Sequence, residues 1–160
     1  MNILKKSKVI IISLILIGFV ITYGLRLSLA KPKDLIESVI IIDPGHGGKD
    51  NGATHLDLIE DEMNLKISKM LYNKLFSKTH LVYLTRNGDY DLATENTKNR
   101  KKEDLNNRVK FTNSIKPDVF ISIHLNKFDS SEVNGAQVFY YKDDCLANSI
   151  QNELNTFNIK

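Results

Sequence analysis

The sequence has a single cysteine, Cys145, so no disulfide can form within the chain. We expect that residue to be small, partly buried packing, and its count leaves the compartment open. Basic charge is scarce where a nucleic-acid surface would need it. The formal net charge is +3, but residues 1–31 hold Lys5, Lys6, Lys8, Arg26 and Lys31 and no acid, leaving 17 basic against 19 acidic residues in the remainder. A slightly acidic body does not support nucleic-acid binding. Internal repeats are absent. So are a GxGxxG pattern and a Lys-Ser/Thr after a Gly-rich turn, which removes the support for a phosphate-cradling loop. What is present, 42% hydrophobic and 26% charged residues, suits one ordinary domain with a core rather than a disordered chain.

The basic excess belongs to a leader. Met1 to Lys8 is a short basic start, Val9 to Leu25 carries no charge, and Arg26 closes the run. This is the pattern of an export signal or membrane anchor. The run is shorter than the about 20 residues of a full span, and Ser28-Leu29-Ala30 offers a weak cleavage site. With the basic side kept in the cytoplasm, the body is exported. The expected organisation is a leader over 1–30, a linker over 31–37 and one catalytic domain over 38–160.

Ser38–Asp43 (SVIIID) is an apolar run suited to a buried parallel strand. PGHGGKDN, residues 44–51, is a Gly-rich loop. From Glu60 to Lys78, Met63, Leu65, Ile67, Met70, Leu71, Leu75 and Phe76 fall mostly at helical spacing. Leu81–Thr85 reads as a second strand and Asp89–Lys102 as a surface loop. Glu103–Ile115 reads as a helix with Leu105, Val109 and Ile115 inward. Asp118–His124 reads as a third strand, Gly135–Tyr141 as a fourth, and Asp144–Phe157 as a last helix. The alternation predicts an α/β fold with a largely parallel central sheet flanked by helices.

Two histidines stand at equivalent places. His46 follows the first strand by two residues, and His124 ends the third. In open α/β sheets the carboxyl ends of the strands line the ligand crevice, and Glu60 opens the first helix over that same end. Two imidazoles and a carboxylate suit a catalytic zinc, which takes three protein ligands and a water. Ligands spread this widely remain a weak signal from spacing alone. Asp43 is a candidate to orient an imidazole, or else a turn-forming acid. His55, before Glu60, is a candidate substrate contact or a solvated loop residue, and His80 reads as surface.

The stretches IIIDPGHGGKDNGA (40–53), IEDEMNL (59–65), YLTR (83–86) and FISIHLN (120–126) resemble the zinc-dependent N-acetylmuramoyl-L-alanine amidases of bacteria, the amidase_3 type. The resemblance covers about residues 38–157 with its motifs in order. It implies one Zn²⁺ on His46, Glu60 and His124, hydrolysis of the amide between N-acetylmuramic acid and L-alanine, and peptidoglycan as substrate. It also makes Asn126 a candidate at the site. The stretch DLATENTKNRKKEDLNNRVKFTNSIKPDVFISIHLNKF, followed by GAQVFYY, is similar to germination-specific spore-cortex amidases of endospore formers. That similarity implies muramic-δ-lactam formation, export into the space between the spore membranes and, in some clostridia, a lipoprotein partner.

In the family a late glutamate, in a segment resembling PAxLVExGFxSN, acts as general base and then as acid to the leaving amine. No such segment stands in residues 1–160. The resemblance therefore puts the general-base glutamate beyond Lys160, and the domain reads as incomplete at its C-terminus. Asp50, Asp61, Glu62 and Glu153 are poor substitutes: Asp61 and Glu62 point off the ligand's helix face, and Glu153 reads as solvated. Two other readings stay open, an inactive zinc- or glycan-binding fragment and another zinc hydrolase of the wall, such as a deacetylase or peptidase.

Overall fold

A computed structural model describes residues 38–76, 80–125, 135–142 and 144–157. The expected leader and linker, residues 1–37, lie outside the described residues, as does Asn126. Among the described residues no helix is long and apolar enough to cross a membrane. The chain forms two compact units that divide between Leu125 and Asn126.

In the first unit the elements run β1 (Val39–Pro44), β2 (Thr54–His55), β3 (Leu58–Ile59), α1 (Glu60–Phe76), β4 (Leu81–Leu84), α2 (Arg100–Ile115) and β5 (Val119–Ile123). The β-branched run of β1 takes the central place in a three-stranded sheet of order β4-β1-β5, parallel on both sides. Ile42 sits level with Leu84 on one neighbour and Ile121 on the other. Covered on both faces, β1 reads as a continuous apolar run, as buried parallel strands do. A hairpin of β2 and β3 pairs Thr54 with Ile59 and His55 with Leu58, between the Gly-rich loop and α1. The expected α/β architecture with a parallel sheet is thus present.

Ile40, Ile42 and Val82 form the core of one sheet face, covered by Leu71, Tyr72 and Leu75 of α1. The N-terminal half of α1 turns a polar stripe inward instead: Glu60, Asp61, Asn64 and Ser68 are buried. Ile67, Met70 and Phe76, expected at the core, are exposed. The same inversion corrects the reading of α2. Leu105 and Val109 are 55% and 57% exposed, whereas Asp104 and Arg108 are buried. The reason lies at the end of β1, where Asp43 and the carbonyls that follow need donors. Arg108 meets them, and an unmet buried acceptor costs more than an exposed leucine gains. Asn99 caps α2 by accepting from the Lys102 N–H, and Lys116 ends it in the left-handed region with φ 54°.

The second unit holds α3 (Asp144–Thr156). Residues 135–141, expected as a fourth strand, form no strand there. A side chain takes the place of a neighbouring strand: Gln151 accepts the Val138 N–H at 2.8 Å and donates to the Ala136 carbonyl at 2.9 Å. Cys145, expected partly buried, is exposed.

Candidate metal centre

The loop after β1 brings His46 back over the strand ends. His46 lies in the left-handed region at φ 60°, an uncommon place for a residue with a Cβ. Crowding explains two of the glycines beside it. A Cβ on Gly45 would collide with the His124 ring, and one on Gly52 would stand 2.6 Å from Glu60 Oε2 and 2.7 Å from His46 Cδ2. Gly52 also has φ +67°, which glycine adopts without strain.

His46, Glu60 and His124 converge. Each offers one ligand atom, and these atoms all lie within 4.8 Å of one another. Glu60 Oε1 is 3.2 Å from His46 Nε2 and 3.1 Å from His124 Nδ1. The two imidazole rings meet edge to face, with centroids 5.0 Å apart. Glu60 is buried, while the His124 side chain is 42% exposed, so the cluster opens to solvent on that side. A two-imidazole, one-carboxylate donor set fits a zinc ion with a free position.

Backbone donors hold the carboxylate. The Ala53 N–H bonds Glu60 Oε2 at 2.7 Å and the Leu125 N–H bonds Oε1 at 3.1 Å. The first N–H groups of α1 find their own acceptors, Glu60 N–H on the Ala53 carbonyl and Asp61 N–H on the Asn51 carbonyl. Burial pushes the Glu60 carboxyl up, but the Ala53 N–H, the His46 charge, the His124 bond and the Leu125 N–H together hold it below its usual 4.5. Burial likewise pushes Asp50 up, and its bonds to His46 and Gly52, with the charges of His46 and Lys101, hold it below 3.8.

For both acids the folded pKa is depressed, so their stabilisation is complete above the unfolded value and fades as pH falls through the folded one. Melts of the metal-free protein are expected to decline below about 4.5, where Glu60 of the unfolded chain takes up its proton while the folded carboxylate still resists it. A stability maximum at lower pH would contradict this.

The acid beside an imidazole is Asp50 rather than the expected Asp43. Asp50 Oδ2 lies 3.0 Å from His46 Nδ1; with the proton held on Nδ1, Nε2 is free to turn its lone pair to a metal. Asp43 touches no imidazole. It accepts from Thr85 at 2.6 Å, Ser122 at 2.9 Å and Arg108 at 2.7 Å, tying β1, β4, β5 and α2 together. His55 is exposed on the hairpin, and His80 bonds Ser38 Oγ through Nδ1 at 2.9 Å.

Sequence reasoning missed two arginines. Arg86 and Arg108, 1% and 5% exposed, cover the carbonyls of Pro44, Gly45 and His46. The available signal was Arg86 closing the YLTR motif. Burial and then the neighbouring Arg108 lower the Arg86 pKa, against the raising effect of Asp61, Asp89 and Asp43.

Asp61 has the opposite shift to Glu60. Burial raises its pKa above 3.8, with Asp89 among the further causes, and Asp61 Oδ1 is buried without a hydrogen-bond partner. A raised folded pKa means that the charged form costs stability as pH climbs past the unfolded value. Asp61→Asn, whose amide can donate to Asp89, is expected to stabilise the protein by about 1 kcal/mol at pH 7. The gain should vanish near pH 3, and urea unfolding at both pH values checks it.

Residues 40–158 match the family described as Amidase_3, N-acetylmuramoyl-L-alanine amidase. The chain is 42% identical over 123 residues to the germination-specific N-acetylmuramoyl-L-alanine amidase of Bacillus subtilis, covering 72% of this chain and 52% of that protein. It therefore spans about half the length of that curated relative. It resembles the CwlD amidase of Clostridioides difficile, solved in complex with the GerS lipoprotein, with TM-score 0.71 and 38% identity over 75% of this chain and 66% of that one. The amidase AmiC2 of Nostoc punctiforme gives TM-score 0.64 and 32% identity, over 76% and 64% of the two chains. With its motifs, its sheet and its His-Glu-His cluster in place, the chain belongs to the Amidase_3 family of N-acetylmuramoyl-L-alanine amidases.

Proposed function

We propose that this protein holds one zinc ion on His46, Glu60 and His124 and serves the hydrolysis of the amide between N-acetylmuramic acid and L-alanine in peptidoglycan. The observation that carries the reading is the convergence of these three side chains at the carboxyl ends of β1 and β5, with His124 open to solvent. Zinc in such a site supplies a water of lowered pKa and polarises the carbonyl to be attacked. The chain's own residues hold and orient. Asp50 fixes the His46 tautomer. The Ala53 and Leu125 N–H groups keep Glu60 ionised and aimed. Asp50 is not the proton carrier, because its oxygens are engaged by His46 Nδ1 and the Gly52 N–H.

The finer reading places the reaction in spore-cortex maturation, where stripping peptide from glycan precedes muramic-δ-lactam formation. It draws on the likeness to the germination-specific amidase. The likeness to CwlD bound to GerS supports a lipoprotein partner. The apolar run in residues 9–25 supports export, with the leader as membrane anchor or signal and the body outside the cytoplasm.

The test is digestion of purified peptidoglycan with and without zinc, followed by mass spectrometry of the products. Zinc-dependent release of peptides with free L-Ala amino termini supports the amidase. Free glucosamine amines would identify a deacetylase instead. Zinc binding with no product at all would favour the second reading, a module that holds metal or glycan without turnover.

A further inference from the structure

We propose that Arg86 is a positioning residue for the metal centre, fixing the spacing of two ligands through their backbone neighbours. This rests on the reading that His46, Glu60 and His124 hold zinc. A single nitrogen of Arg86, Nη2, donates to the Gly45 carbonyl at 2.9 Å and to the Asp61 carbonyl at 2.8 Å. Gly45 immediately precedes His46, and Asp61 immediately follows Glu60. The same guanidinium donates from Nε to the Pro44 carbonyl and from Nη1 to the Gly88 carbonyl, each at 3.0 Å. All four of these bonds go to backbone carbonyls.

That pattern separates Arg86 from Arg108. Arg108 pairs with Asp43 at 2.7 Å and Asp104 at 2.9 Å, so its charge is directly answered. The hydrogen bonds of Arg86 answer geometry. A planar fork with donors at fixed spacing sets distances between the groups it binds, which the point charge of a lysine does not do. The need for such a bridge is visible in the connecting segment. Between His46 and Glu60 the chain passes through Gly47, Gly48, Gly52 and Leu56, all with positive φ. Glycine-rich chain is soft, and the hairpin that follows is short. Asn64 supplies a longer companion tie, Nδ2 to the Gly45 carbonyl at 3.3 Å. Arg86 is thus the short, rigid path from one ligand to the other.

The experiment compares the full chain with Arg86→Lys and with Val82→Ala, a substitution in the hydrophobic core that touches no ligand. Zinc affinity is read by competition with a chromophoric chelator, the site geometry by the visible absorption of the cobalt-substituted protein, and stability by melts of the metal-free forms. Arg86→Lys is expected to weaken zinc binding 10- to 100-fold, within the range for groups that orient metal ligands, and to alter the cobalt spectrum. Val82→Ala is expected to lower the melting temperature and leave both metal readouts unchanged. If Arg86→Lys needs help to fold, all three proteins are measured in a stabilising osmolyte. Equal zinc affinity in Arg86→Lys and the parent overturns the proposal, as does an equal loss in Val82→Ala. A parent that binds no zinc overturns the metal reading and this inference with it.

Discussion

His46→Ala is expected to abolish stoichiometric zinc, with affinity reduced about 10²- to 10³-fold. Zinc binding to small structural sites contributes about 10–16 kcal/mol over four ligands. One ligand is then worth roughly 2.5–4 kcal/mol, and each 1.4 kcal/mol is tenfold. The loss is not repaired locally. Asp50 Oδ2 faces Nδ1 of the imidazole that would be gone, and the second imidazole, His124, already belongs to the cluster. The fold should survive, because His46 sits in a loop outside the Ile40, Ile42 and Val82 core. Metal analysis after dialysis, beside circular dichroism, checks both halves. Full zinc content in this variant and in His124→Ala would overturn the centre.

The largest loss of stability is expected from Arg108→Leu. The Arg108 side chain is 6% exposed and its partner Asp43 is 8% exposed, at 2.7 Å. Removing one member of such a pair leaves the other charge buried and unanswered, a cost of about 3–5 kcal/mol. Leucine fills part of the volume but donates nothing to Asp43, Pro44 or His46. Adding Asp43→Asn should recover part of the loss, since the stranded charge is then gone while Thr85 and Ser122 remain as partners. Urea unfolding of the two single variants and the double variant measures the coupling. Additive losses would show that the pair does not act as a unit.

Much of the fold was legible because β1, β4 and β5 are written as apolar runs, and the motifs placed His46 and His124 at strand ends with Glu60 opening the first helix. What misled was the assumption that helices bury their apolar stripe. In α2, Leu105 and Val109 carry the periodic signal, yet Arg108 faces the sheet. Periodicity weighs side-chain transfer and is blind to acceptors left over at a strand end. Asp43 looked like an imidazole partner because it lies three residues before His46. On a strand, however, side chains alternate between faces, and Asp43 points with Ser122 toward Arg108. Asp50 reaches the imidazole only because the loop folds back on itself, through the paired Gly47 and Asp50 backbones. GAQVFYY has strand composition, yet residues 135–141 form no strand, and the Gln151 side chain bonds the Ala136 carbonyl and the Val138 N–H.

The pairing of β1 with β5 carries a kinetic consequence. Ile40 and Val119 align across 79 positions of sequence, with β4 and two helices formed in between. Loop closure over such a distance is the slow kind of event in folding. His46 and His124 ride on the two strands that meet by it, so the metal site cannot exist before the sheet closes. If the centre takes zinc, capture is expected to follow the pairing of β5 with β1, so the rate at which a refolding chain acquires metal would report when β5 docks.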